Sequence, residues 1–199
     1  MFEQRSLVAE YMDSPTFDER LAEESFRFIE RVNRFFGGVR VAWRFVREEA
    51  SRLPVGEPLQ VLDIGSGSCD IPIAVSQRAV RAGIAIRFVC VERDPHAAAR
   101  ARRHLDAAGD LPITLVEEDI LEHSPARPYH VALGSMVFHH FTNEQIQDLV
   151  GRLVPRLCGR LLINDLVRGW PNYLGAHVLC LTETAGVRHD ATLSVRRGF

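Results

Sequence analysis

The sequence predicts an α/β fold: a mostly parallel sheet of five strands with helices on both faces, entered through two N-terminal helices. Three observations predict it. From Leu59 onward short apolar runs alternate with helical stretches, those stretches carry helix-start signals, and the first apolar run leads directly into a glycine turn and a new helix. At 199 residues, 46% hydrophobic and 25% charged, the chain has the size and composition of one globular domain.

Thr16 with Glu19 three positions on forms a capping-box pattern. Phe17, Leu21, Phe28, Ile29, Val32 and Phe35 follow at mostly helical spacing, until Gly37-Gly38 stops the helix. A second helix carries Val41, Ala42, Phe45, Val46 and Ala50 on one side and is expected to run to about Leu53, before Pro54. Residues 1–54 are therefore read as a helical cap on the substrate side, within the same domain as 55–199. Strands are expected at 59–64, 86–91, 113–116, 131–135 and 160–164. Asp70 before Ile71-Pro72, Asp94 before Pro95, and Thr142 with Gln145 mark the starts of the connecting helices. Gly83, Gly109 and Gly159 are placed to close them.

Composition excludes several functions. A net charge of -2 provides no basic field for nucleic acid, and all 24 basic residues are arginine, so lysine Schiff-base and phosphate-loop chemistry are absent. The four cysteines, at 69, 90, 158 and 180, show no paired short spacing, and His96, His104, His123 and His189 show no ligand grouping. No metal is expected, and a reducing cytoplasm fits best. The N-terminal stretch is too charged for a secretory signal, and no apolar run is long enough to insert in a membrane.

In Val61-Leu62-Asp63-Ile64-Gly65-Ser66-Gly67-Ser68-Cys69-Asp70, a strand, a glycine turn and a helix start follow one another, the context of a nucleotide loop. Gly65 and Gly67 would let a cofactor lie against bare backbone. Cys69 stands where a dinucleotide loop places its third glycine, and it would either crowd a ligand or pack against the helix. Asp70 puts an anion where a pyrophosphate would bind, which favours a cationic cofactor without phosphate. Glu92 ends the second strand 25 residues after Gly67, where an acid reaches a ribose diol, and Arg93 follows it. Asp119-Ile120, just past the third strand, is placed to meet an adenine.

Together Asp63-Ile64-Gly65-Ser66-Gly67, Glu92 and Asp119-Ile120 resemble the successive cofactor motifs of the class I S-adenosylmethionine-dependent methyltransferases. The likeness covers roughly residues 59 to 166. It implies a Rossmann-like domain over 55–199 that binds S-adenosyl-L-methionine, with Asp63 near the methionine ammonium, Gly65, Ser66 and Gly67 against the cofactor, Glu92 and Arg93 at the ribose, Asp119 and Ile120 around the adenine, and Ser135 at the end of the fourth strand. Arg31-Val32-Asn33-Arg34, Gly37-Gly38 and Phe138-His139-His140-Phe141 further resemble small bacterial methyltransferases acting on polyketide, phenolic or quinone-like acceptors. The family usually adds two strands after the fifth. Here Trp170 to Ala185 looks mainly helical, so the sheet is expected to be incomplete at one edge, its fifth strand exposed unless the tail Thr192 to Arg196 or a partner covers it, which is the expectation for a truncated form, a shortened homologue or a homodimer.

The segment after the fourth strand should face the transferred methyl, which makes His139 and His140 the candidates for acid–base work. Met136, Phe138, Phe141, Trp170, Tyr173, Tyr11, Met12, Phe35 and Phe36 are candidates for the pocket wall. Asn164-Asp165 would touch the acceptor or cap a turn. The expected function is O- or C-methylation of a small hydrophobic or aromatic molecule. A catalytically silent cofactor-binding module and a nicotinamide-dependent oxidoreductase are the alternatives.

Overall fold

The computed structural model describes residues 2–14, 18–124 and 128–199. In chain order it contains α1 (Glu19–Phe35), α2 (Gly38–Ala50), β1 (Leu59–Ile64), α3 (Asp70–Ala82), β2 (Ile86–Glu92), α4 (Pro95–Ala108), β3 (Ile113–Glu117), β4 (Val131–Ser135), α5 (Asn143–Leu153), β5 (Leu161–Asn164), α6 (Trp170–Leu179) and α7 (Ala185–Arg197). The five strands are parallel in the order β3-β2-β1-β4-β5. Chain direction across the sheet reverses between β1 and β4, so a crevice opens beyond the carboxyl ends of those two strands. No helix among the described residues is long and apolar enough to cross a membrane.

Two cores follow from the period of two along each strand. Leu59, Val61, Phe88, Cys90, Val131 and Leu133 face Ala42 and Val46 of α2 and Val75 and Ala79 of α3. Leu62, Ile64, Val91 and Ala132 point the other way, into Phe138, Phe141 and the α5 residues Leu149 and Leu153.

The strands lie within one residue of their expected limits, and most caps act as the sequence indicates. Asp94 accepts from the Ala97 N–H at 2.7 Å with Pro95 at the first helical position. Thr142 and Gln145 form their reciprocal capping box. Thr16 and Phe17 lie outside the described residues, and α1 is capped by Asp18, which accepts from Arg20 and Leu21. Three expectations are corrected. Asp70 is the first residue of α3 rather than its cap, because the turn closed by Cys69 N–H on Ser66 O puts left-handed Cys69 in the cap position. Gly159 does not end α5. That helix stops at Leu153 before a short 3-10 turn containing Pro155, and Gly159 instead permits a close crossing in which an added Cβ would lie 2.9 Å from His130 O. The second helix ends at Ala50 rather than near Leu53.

The tail forms no edge strand. It is helix α7, whose buried Val187, Leu193 and Val195 pack inward, and only Phe199 continues beside the chain beyond β5, exchanging backbone hydrogen bonds with Leu166 and Arg168 at 2.9 Å. Ile163 on β5 stays 44% exposed.

A charged cluster ties α1 to α4. The Arg100 guanidinium, 8% exposed, donates to both carboxylate oxygens of Glu30 at 2.7 and 2.9 Å and pairs with Glu23. Removing one partner of such a group leaves the other uncompensated. Arg100→Met is expected to destabilise the fold by about 2–3 kcal/mol, somewhat less than for a fully buried pair because Glu23 is half-exposed. A urea midpoint unchanged from wild type would show that the cluster contributes nothing net.

Candidate active site

Beyond the carboxyl ends of β1, β2 and β4 lies a cavity of about 1140 Å³. It exceeds the usual 300–1,000 Å³ or so of a site for one small ligand. Asp63, Gly65, Ser66, Gly67, Glu92, Arg93, Asp119, Ile120, Ser135, His139 and His140 all line it. The strand ends and the loop after β1 bring Asp63, Gly67 and Glu92 to the cavity, and the turn after β4 brings the histidines.

In the β1–α3 loop the two glycines do different things. Both are left-handed, with φ of 60° at Gly65 and 55° at Gly67. A Cβ on Gly65 would strike Val137 Cγ2 at 2.4 Å, whereas one on Gly67 would meet nothing within 4 Å. The bareness of Gly65 thus admits a protein side chain, Val137, while its backbone lines the cavity. Cys69, fully buried, lies below the loop with Sγ 3.6 Å from Ser66 Oγ and does not line the cavity. Of its two readings, packing holds.

The Glu92 carboxylate accepts from Gly67 N–H and from Asp94 N–H, each at 2.8 Å, and so fixes the loop against the start of α4. Asp119 accepts from Leu121 N–H at 2.9 Å and pairs with Arg93 at 3.2 Å. Ser135 accepts from the Asn164 side chain at 2.8 Å. Burial raises the Glu92 carboxyl above its ordinary value. Burial, followed by the proximity of Cys69, Asp70 and Glu92, pushes Asp63 well up, and burial pushes Asp70 up to about 6 although Asn33 donates to it at 3.1 Å. Three partly desolvated carboxylates around one loop disfavour a phosphate and are relieved by a cation.

His139 and His140 sit on the 3-10 turn Phe138–His140. Met136 before it holds φ of 59°, a conformation that costs a non-glycine residue about 1–3 kcal/mol and marks a constrained site. Asp165 accepts from the His139 backbone N–H at 3.1 Å and engages His139 Nδ1 at 2.6 Å. Burial alone would raise Asp165, but the hydrogen bond and charge of His139 outweigh it and hold the carboxyl below its usual value. Asp165 thus anchors a histidine, a role outside its two expected ones, and it also accepts from the Leu166 N–H at 2.8 Å. His140 Nδ1 meets Asp13 at 2.8 Å.

Sequence reasoning missed Glu10, Asp13, Asp190 and Arg197. Asp190 of α7 accepts from the backbone N–H groups of Tyr11 and Met12 at 2.9 and 3.2 Å. Arg197 donates to the carbonyls of His139 and His140 and pairs with Asp13. The N-terminal segment is thereby strapped between α7 and the histidine turn.

The proposed wall is partly corrected. Met12, Phe36, Met136 and Phe141 line the cavity. Phe138 is fully buried, packed on Gly134, where a Cβ would lie 2.5 Å from its ring. Tyr11 stacks on His189 outside, Trp170 and Tyr173 pack around Phe2, and Phe35 is 70% exposed. Phe28, Ile29 and Val32 of α1 provide the apolar lining instead.

Fold and cavity together define a Rossmann-like α/β enzyme domain with its pocket at the switch point. Residues 61–157 match the model of a methyltransferase domain family. The plantazolicin methyltransferase BpumL, solved with a triazolic desmethylPZN analog and SAH, superposes with a TM-score of 0.69 at 19% identity, covering 94% of this chain and 66% of that one. The magnesium protoporphyrin IX methyltransferase ChlM from Synechocystis PCC 6803, solved with bound SAM, gives 0.53 at 15% identity over 66% of this chain and 60% of that one. The CMeT domain of the citrinin polyketide synthase gives 0.56 at 19% identity over 78% and 38%. The chain thus spans just under two thirds of the length of the first of these structures. No curated protein matches the sequence.

Residues 61–157, just under half of the chain, thus carry the likeness to a methyltransferase domain, and the fold is the one these methyltransferases share. The carboxylate-ringed loop, with open space at Gly67, fits a phosphate-free cation.

Proposed function

We propose that this chain methylates oxygen or carbon on a small hydrophobic or aromatic acceptor. The observation that carries the reading is a single cavity that runs from Asp63, Glu92 and Gly67 to the histidine pair under the apolar α1 residues Phe28, Ile29 and Val32. When bound, the cofactor supplies a methyl group already activated on a sulfonium. The protein then has mainly to align the acceptor, and alignment can supply a large part of the rate. In this reading Asp63 holds the methionine ammonium, Glu92 the ribose, and Asp119 with Ile120 the adenine, while Arg93 and Ser135 complete the cofactor contacts. Residues 1–54 cap the acceptor side. His139 and His140 handle the acceptor's proton, with Asp165 and Asp13 holding their rings.

Calorimetry with S-adenosylhomocysteine, followed by a tritiated-methyl screen over phenols, quinones and polyketides, tests this. Cofactor binding with transfer to at least one of these classes is expected. Absence of binding would remove the cofactor assignment, and binding without transfer to any acceptor would leave a silent cofactor-binding module.

A further inference from the structure

Each histidine of the turn has one ring nitrogen taken by a carboxylate: His139 Nδ1 by Asp165 at 2.6 Å and His140 Nδ1 by Asp13 at 2.8 Å. A carboxylate fixes the proton on the nitrogen it meets, so the other nitrogen of each ring is left with a lone pair. His139 Nε2 ends 3.6 Å from Glu10 Oε1, outside hydrogen-bond distance, and both atoms are buried with no hydrogen-bond partner among the described residues, Arg197 standing 3.6 Å from Glu10 Oε1 as an ion pair. Glu10 is 3% exposed and so is His139. One ligand atom from each of Glu10, His139 and His140 lies within 4.8 Å of the other two.

Two buried acceptors facing each other with no donor at hydrogen-bond distance cost free energy, and a cation between them satisfies both. We propose that Glu10, His139 and His140 form a binding site for a divalent first-row transition cation. Two imidazoles and one carboxylate are a donor set suited to zinc or ferrous iron. Asp165 and Asp13 occupy the outer positions that orient such histidines and raise their basicity. The local charge agrees. Glu10, Asp13 and Asp165 outnumber the two nearby guanidinium groups, Arg197, 3.6 Å from Glu10 Oε1, and Arg5, which donates to the His139 carbonyl. All three ligands line the cavity, so the open side of the ion faces the acceptor end. An anionic oxygen, phenolate or enolate, is the matching acceptor ligand, and that assignment alone rests on the methyl-transfer reading.

The test is a calorimetric titration of the metal-free chain with zinc chloride, repeated with cobalt(II) by visible absorption. Both use a Cys158→Ser background because that thiol is free and exposed. One-to-one binding is expected, weakened at least about tenfold by Glu10→Gln and by His140→Gln, and about 10–100-fold by Asp165→Asn. S-adenosylhomocysteine binding, measured on every variant, reports that each is folded. Failure of the parent to bind zinc, or unchanged affinity in folded Glu10→Gln and His140→Gln, overturns the site. Loss of S-adenosylhomocysteine binding by the parent with zinc binding intact would sink the cofactor reading and leave the metal site standing.

Discussion

Glu92→Ala is expected to weaken S-adenosylhomocysteine binding well beyond tenfold, more than the loss of ribose hydrogen bonds alone would produce. Those bonds contribute about 1.5 kcal/mol, roughly the tenfold step. The structure adds a second cost, because the same carboxylate accepts from Gly67 and Asp94 N–H groups in a nearly closed site. Leaving a buried donor without an acceptor costs about 1–3 kcal/mol each, so the loop that carries the cofactor loses its anchor too. Glu92→Gln separates the two effects: it keeps one acceptor oxygen and the shape, and should fall between wild type and Glu92→Ala in both affinity and melting temperature. If the alanine variant binds the ligand as wild type does, Glu92 has no place in the cofactor site.

The second large effect is a trade of stability against cofactor affinity at Asp70. Its carboxyl is pushed by burial up to about 6 in the folded chain, against 3.8 ordinarily. Between those values the folded protein holds more protons than the unfolded one, so stability falls as pH rises through this window. Above about pH 6 the full cost of a buried anion is present, and below about pH 4 it vanishes. Asp70→Asn removes that anion while keeping an oxygen for the Asn33 amide. The variant is therefore expected to be more stable than wild type at pH 7.5, on the order of 1–3 kcal/mol given about 1.4 kcal/mol per pKa unit, with the advantage shrinking toward pH 4. Its affinity for S-adenosylmethionine should drop, since a bound cation stabilises the ionised carboxylate. The wild-type affinity should also decline as pH falls through about 6. Equal melting curves at pH 7.5 would show that Asp70 is not strained, and equal affinities that its charge does not reach the cofactor.

The alternation of the strands, the caps at Asp94 and Thr142, and the strand–turn–helix around Gly65 and Gly67 were all legible in the sequence. Each depends on sterics and hydrogen bonds among residues a few positions apart. The placement of Glu92 and Asp119 beside that turn was legible too, because parallel pairing of β1, β2 and β3 puts successive carboxyl ends side by side. Two local readings were overtaken by the structure: Asp70 as the start signal of α3, and Gly65 as room for a ligand alone. Closure of Cys69 N–H on Ser66 O puts Cys69 in the cap position, and Val137 from the turn after β4 packs where a Gly65 side chain would stand.

The histidine side of the cavity was decided by tertiary structure alone. Glu10 and Asp13 meet His139 and His140 across more than 120 residues, and Arg197 and Asp190 lock them there from the far end of the chain. Such meetings leave no local periodicity or cap to read, because docking of α7 and the N-terminal segment onto the β4 turn, and not neighbouring backbone, sets the distances. Sequence by itself determined the sheet, its helices and the acidic glycine loop. Packing between distant segments decided which titratable groups face one another in the cavity.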